Sequence, residues 1–133
     1  MTQDWRDVPI HVLDFEGNSR TGIVEYGVAT LLHGDVVETR TRLCRGKAEI
    51  PFEDSRLHGI ENSDTRETDP VESDWALFSG LRRTGPFCAH HARVEDNLLR
   101  SVWPYPGNVP HFLNAGSATE EWRPWVDTRC LYE

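Results

Sequence analysis

The sequence predicts an α/β fold: a mixed sheet, with an antiparallel three-strand meander plus two parallel strands and helices packed on it. Three observations predict it. Two early runs rich in β-branched residues are joined by a glycine turn. Two amphipathic helical patterns follow, each bounded by proline or glycine. Short apolar segments stand between and after those helices, giving the order βββ-α-β-α-β.

The first strand is PIHVLDF at 9–15, a short apolar run that reads as buried. The second is GIVEYGVATLL at 22–32. His33-Gly34-Asp35 supplies a turn, and VVETRTRL at 36–43 returns with strict alternation. Residues 44–70 read as a long polar connection. A helix then starts at Asp69 and Pro70, with Glu72 completing a D-x-x-E cap pattern. Val71, Trp75, Phe78 and Leu81 share its apolar face, and Thr84-Gly85-Pro86 stops it. FCAHH at 87–91 is the next strand. ARVEDNLLRSVW at 92–103 is helical, with Val94, Leu98 and Val102 on one stripe. A proline-bearing loop at 104–124 leads to a last strand in WVDTRCLYE, with a helix starting at Asp127.

The 133 residues suit one domain over 1–133, long enough to bury roughly two-thirds of the unfolded surface. Composition is that of a globular protein, 38% hydrophobic and 27% charged, with mean hydropathy −0.57. Neither a membrane-spanning run nor a signal-peptide pattern is present. Three cysteines without a CxxC pair point to buried thiols and a cytoplasmic location. The net charge of −8 argues against a basic nucleic-acid coat protein but leaves room for a cleft in which cations hold a few nucleotides. Basic residues cluster at Arg40, Arg42, Arg45 and Lys47, then at Arg82 and Arg83; guanidinium groups suit phosphate, and a solvated face is the commoner outcome.

Asp14 and Glu16 are two apart on a strand, so both project to one face, about 6.6 Å apart along the chain. The helix after FCAHH displays Glu95 and Asp96 in its first turn. If its strand lies beside the first, an acid arrives near Asp14 and Glu16. Converging carboxylates repel unless a divalent cation neutralises them, and such oxygen ligands suit Mg²⁺ or Mn²⁺. Two such ions suit phosphodiester hydrolysis.

Four segments carry a resemblance: VLDFEGNSRTGIVEYGVATL, RLHGIENSDTRE, FCAHHARVEDNLL and WVDTRCLY. In this order they resemble the motifs of the DnaQ-type 3′–5′ exonucleases of the DEDD group, which are RNase H-like. The resemblance implies a metal-dependent exonuclease with two Mg²⁺ or Mn²⁺ ions, acting on the 3′ end of single-stranded DNA or RNA, with a polymerase as a partner. It makes Asp14 and Glu16 catalytic metal ligands and aligns Glu95 with the acid of the second motif, Asp96 being the alternative. His58 and Phe15 fall at substrate-binding positions. His91 stands where the family has Asn, and His90 is read as a structural hydrogen-bonding group. The third motif, a His or Tyr base with a fourth carboxylate, is missing, since Tyr132 has no residue four positions on. The chain is therefore expected to be truncated at its C-terminus. A non-catalytic module binding nucleic acid or a polymerase on the same scaffold is the alternative.

Overall fold

The computed structural model describes residues 4–107, 109–111, 114–119 and 121–130. Its main sheet has five strands in the order β3-β2-β1-β4-β7. These are β1 (Ile10–Asn18), β2 (Gly22–Leu32), β3 (Asp35–Leu43), β4 (Phe87–Ala89) and β7 (Trp125–Asp127). β1, β2 and β3 form the antiparallel meander, while β1–β4 and β4–β7 pair in parallel. The mixed sheet expected from the sequence is thus present.

The first strand is longer than its apolar run. β1 continues to Asn18, so Asp14 and Glu16 lie within the strand, paired opposite Gly27 and Glu25. A bulge follows at Glu16/Gly17, after which Gly17 pairs with Ile23 and leaves Val24 as the extra residue of β2. The bulge explains why Ile23 and Val24 are both buried, one in each of the two core clusters.

The connection at 44–70 contains two short helices, α1 (Phe52–His58) and α2 (Asn62–Thr65). α1 begins after Pro51, and α2 is started by a capping box between Glu61 and Asp64. Neither shows an apolar face long enough to read as a helical period. The Pro-bearing loop likewise contains a two-stranded antiparallel unit, β5 (Val109–His111) and β6 (Asn114–Thr119).

The helix expected from Asp69 opens as a 3₁₀ turn at Val71–Asp74 and continues as α3 (Trp75–Thr84). No side-chain cap forms at Pro70. Instead Arg42 donates to the carbonyls of Asp69 and Pro70 at 2.8 and 2.9 Å, and to Asp74 Oδ2 at 2.7 Å. Tyr26 donates its hydroxyl to the same Asp74 oxygen at 2.6 Å. This network takes the place of the cap.

The main core lies between the sheet and the helices α3 and α4 (Ala92–Val102). Leu13 and Phe15 of β1, Tyr26 and Val28 of β2, Phe78 of α3, and Leu98 and Leu99 of α4 are buried there. Of the expected α3 face, Val71 and Phe78 are buried, whereas Trp75 is 37% exposed. The α4 stripe is rotated from expectation. Val94 is 42% exposed, and the buried positions are Ala92, Glu95, Leu98 and Leu99. That rotation decides which acid the helix turns inward.

Candidate active site

β4 pairs with β1 only at His11 and Val12. Beyond them β4 ends, the chain turns into α4, and the edge of β1 carrying Phe15 is left without a strand partner. An unpaired buried N–H there would cost about 1–3 kcal/mol. Glu95 satisfies it: the Phe15 N–H donates to Glu95 Oε2 at 3.1 Å. Glu95 shares a helical face with Leu98 and Leu99 at i+3 and i+4, so burying the apolar stripe carries its carboxylate to β1.

The later helix therefore delivers its acid to the amide lying between Asp14 and Glu16. Glu95 is 8% exposed, and burial, then Asp14 and Glu16, push its pKa up to about 7 against the lowering effect of the Phe15 amide. The Glu16 carboxyl is also pushed up, by burial first and then by Asp14 and Glu25, with His58 acting in the opposite sense. Glu25, directly opposite Glu16 across the β1–β2 ladder, is a residue that sequence reasoning did not single out. Its signal was available in the second strand, where an acid interrupts an otherwise apolar run. Like charges directly opposite destabilise a ladder unless something positive sits between them.

Asp96, one position on, is turned away from the β1 acids. It accepts from Trp125 Nε1 at 3.0 Å and pairs with Arg100 at 3.6 Å. A helix rotates about 100° per residue, and a buried stripe has room for one of two adjacent acids.

His58 ends α1, and α1 is tied to β1 by Asn18 Nδ2 donating to Asp54 Oδ2 at 2.9 Å. Its Nδ1 accepts the Ile60 N–H at 3.0 Å, which places the neutral ring's proton on Nε2. The Phe15 ring is 5% exposed and packs on Phe78 with centroids 5.8 Å apart. Its side chain is packed in the core, and its backbone N–H meets Glu95. His90 is bonded to Thr128 Oγ1 at 3.1 Å and is structural. Asp127 Oδ2 accepts the Ala92 N–H at 3.2 Å, so the D-T junction holds the start of α4. Tyr132 lies outside the described residues. Burial pushes the Cys44 thiol up to about 11 and also raises Cys88, as inert core thiols require.

Among the described residues no three His, Cys, Asp or Glu side chains form a ready-made metal cage. Asp14, Glu16 and Glu95 nevertheless fit a hard divalent cation as a donor set. All are carboxylates; burial first, and repulsion among the acids second, raise Glu95 and Glu16, and positive charge would offset both.

No family model matches the sequence, and no curated protein matches it. Solved structures do match the fold. Exonuclease X in complex with 5′-overhanging duplex DNA is 19% identical, with TM-score 0.62, over 90% of this chain and 59% of that one. E. coli Exonuclease I in complex with a dT13 oligonucleotide is 13% identical, with TM-score 0.69, over 94% of this chain and 30% of that one. Exonuclease I from Methylocaldum szegediense is 11% identical, with TM-score 0.72, over 94% and 28%. The chain has the RNase H-like fold that these exonucleases share. It spans less than two-thirds of each of those proteins, and the likeness is one of fold. Among the described residues no helix is long and apolar enough to cross a membrane.

Proposed function

We propose that this RNase H-like chain is a metal-dependent 3′–5′ exonuclease domain acting on single-stranded nucleic acid. The observation that carries the reading is the Glu95 carboxylate on the Phe15 amide, between Asp14 and Glu16. Asp14, Glu16 and Glu95 would hold two Mg²⁺ or Mn²⁺ ions. Bound there, the ions would supply the Lewis acidity that phosphodiester hydrolysis needs.

The chain's own residues have separate tasks in this reading. The Phe15 amide fixes the Glu95 carboxylate, so one ligand is held in place before any ion arrives. Glu25 adds negative charge behind Glu16. His58 offers an Nε2–H donor to an oxygen of the strand end. The DNA-bound proteins that share the fold, Exonuclease X and Exonuclease I, favour a nucleic-acid substrate.

Asp14→Asn tests the assignment. With Mn²⁺ and a 5′-labelled oligonucleotide, the variant should degrade the strand more than about a hundredfold slower than the parent, while its metal-free melting temperature is not lowered. Equal cleavage by parent and variant would remove Asp14 from the site. The lack of a ready-made three-ligand group among the described residues favours a second reading, a module that binds nucleic acid without cutting it. Oligonucleotide binding by the parent without Mn²⁺-dependent shortening would establish that reading instead.

A further inference from the structure

Of the basic residues that cluster in the sequence, several are used inside the fold. Arg42 holds Asp74 and three carbonyls, Arg40 donates to the Tyr26 hydroxyl at 3.0 Å, and Arg82, 1% exposed, donates to the carbonyls of Glu121 and Arg123. Arg45 and Lys47 are not. They are exposed, and among the described residues their side chains have no ion-pair partner.

The fold adds a third cation to them. Arg45, Lys47 and Arg66 line one cavity of about 320 Å³, together with Asn62, Thr65 and Glu49. Arg66, which follows α2, is likewise exposed and without an ion-pair partner among the described residues. The floor is built rather than loose. Asn62 Oδ1 accepts the Ile50 N–H at 2.8 Å, and its Nδ2 donates to the Ile50 carbonyl at 3.1 Å. Lys47 N–H donates to the Thr21 carbonyl at 2.8 Å. Between the two cations, a Cβ on Gly46 would stand 2.6 Å from that same carbonyl oxygen, so only glycine lets the segment press this closely on the hairpin. Glu49 in this cavity, and Glu72 in the adjoining one, are the acids that face the cations.

The adjoining cavity, about 180 Å³, shares Arg45, Gly46 and Lys47 and reaches Gly22 and Ile23. Gly22 pairs with Asn18, two residues beyond Glu16 on β1. Lys47 therefore lies beside the hairpin about 7 Å further along the strand than Glu16. In a chain of net charge −8, cations gathered beside the acidic site are placed to hold an anion that extends from it.

We infer that Arg45, Lys47 and Arg66 bind the phosphodiester backbone of the nucleic-acid strand upstream of its reacting end. The inference rests on the proposed function, and it adds a second contact region that keeps the strand in register while its end meets the acids. Arg45 and Arg66 present donor forks to phosphate oxygens, and Lys47 a point charge.

The test is equilibrium binding of fluorescein-labelled dT12 in EDTA, measured by anisotropy over a range of salt. The Arg45→Gln/Lys47→Gln/Arg66→Gln variant should bind at least about tenfold more weakly. Its slope of log affinity against log salt should shrink by about 2, from roughly 0.7 per lost contact on a single strand. Arg83→Gln is the control, because α3 ends beside Pro9 at the opposite end of β1; it should leave the slope within about half a unit. A triple variant with the parent's slope overturns the inference, and single substitutions with parental melting temperatures serve if the triple variant unfolds. Mn²⁺-dependent cleavage with an unchanged slope would sink only the cavity site. A reduced slope without cleavage would sink only the exonuclease reading.

Discussion

The carboxylate of Glu95 accepts the backbone N–H of Phe15, 80 residues away in sequence, at 3.1 Å. One contact thus joins the packing of α4 to the electrostatics of the β1 acids. Glu95→Gln keeps an acceptor for that amide and removes a charge that Asp14 and Glu16 oppose. Glu95→Ala removes the acceptor and opens space beside Leu98 and Leu99. Urea unfolding at pH 7.5 without metal should therefore find the Gln variant at least as stable as the parent. The Ala variant should be about 1–3 kcal/mol less stable. Equal losses in both would mean that the hydrogen bond is not what holds the carboxylate.

The proposed metal binding has a readout apart from catalysis. Ions held by Asp14, Glu16 and Glu95, as proposed, would stabilise the folded state by mass action, about 2.7 kcal/mol at a hundredfold excess over Kd. For a domain of this size that is a rise of several degrees in melting temperature. Mn²⁺ should give that rise in the parent and little of it in Asp14→Asn or Glu95→Gln. A Mn²⁺ response unaffected by either substitution would place the ions elsewhere.

The residues show why the sequence discloses some of this and hides the rest. The meander is legible because β-branched alternation and the His33-Gly34 turn are local signals. α3 and α4 are legible because their apolar residues recur at helical spacing. α1 and α2 are too short to show a period, and the β5–β6 pair carries a proline that reads as loop. At the site, Asp14 and Glu16 announce themselves because two acids within an apolar strand need a reason. The choice of Glu95 over Asp96 is set by the rotation of α4, and that depends on Leu99 being buried and Val94 exposed. Phe15 lies between the acids in sequence, yet strand alternation sends its ring to the opposite face, into the core.

Gly17 sits at the bulge that shifts the β1–β2 ladder beside Glu16. Its φ is +133°, and a Cβ there would stand 2.0 Å from the Gly22 carbonyl oxygen. No side chain fits without moving the hairpin, which also carries the strand end beside Lys47. Gly17→Ala should cost more than about 2 kcal/mol in chemical unfolding and reduce cleavage together with stability. An alanine variant with the parent's midpoint would show that the bulge relaxes freely.

His11 supplies a pH dependence that has its origin away from the acids. The ring is 3% exposed, with Nδ1 2.8 Å from Thr30 Oγ1 and Nε2 2.7 Å from Thr84 Oγ1. The Thr84 hydroxyl donates to the Leu81 carbonyl at 3.0 Å, so it accepts from Nε2–H, and Nδ1 is left to accept from Thr30. The neutral ring satisfies every group, and burial lowers the pKa from 6.5 to about 4. The unfolded chain therefore binds a proton between those values that the folded chain refuses. Its contribution is complete above about pH 6.5 and fades as pH falls towards 4, by at most about 3 kcal/mol. His11→Gln keeps polar atoms near both threonines but does not titrate. Urea midpoints followed from pH 7.5 to 4.5 should fall less steeply for this variant than for the parent. Parallel profiles would show that His11 is protonated in the folded state or that it does not govern the loss.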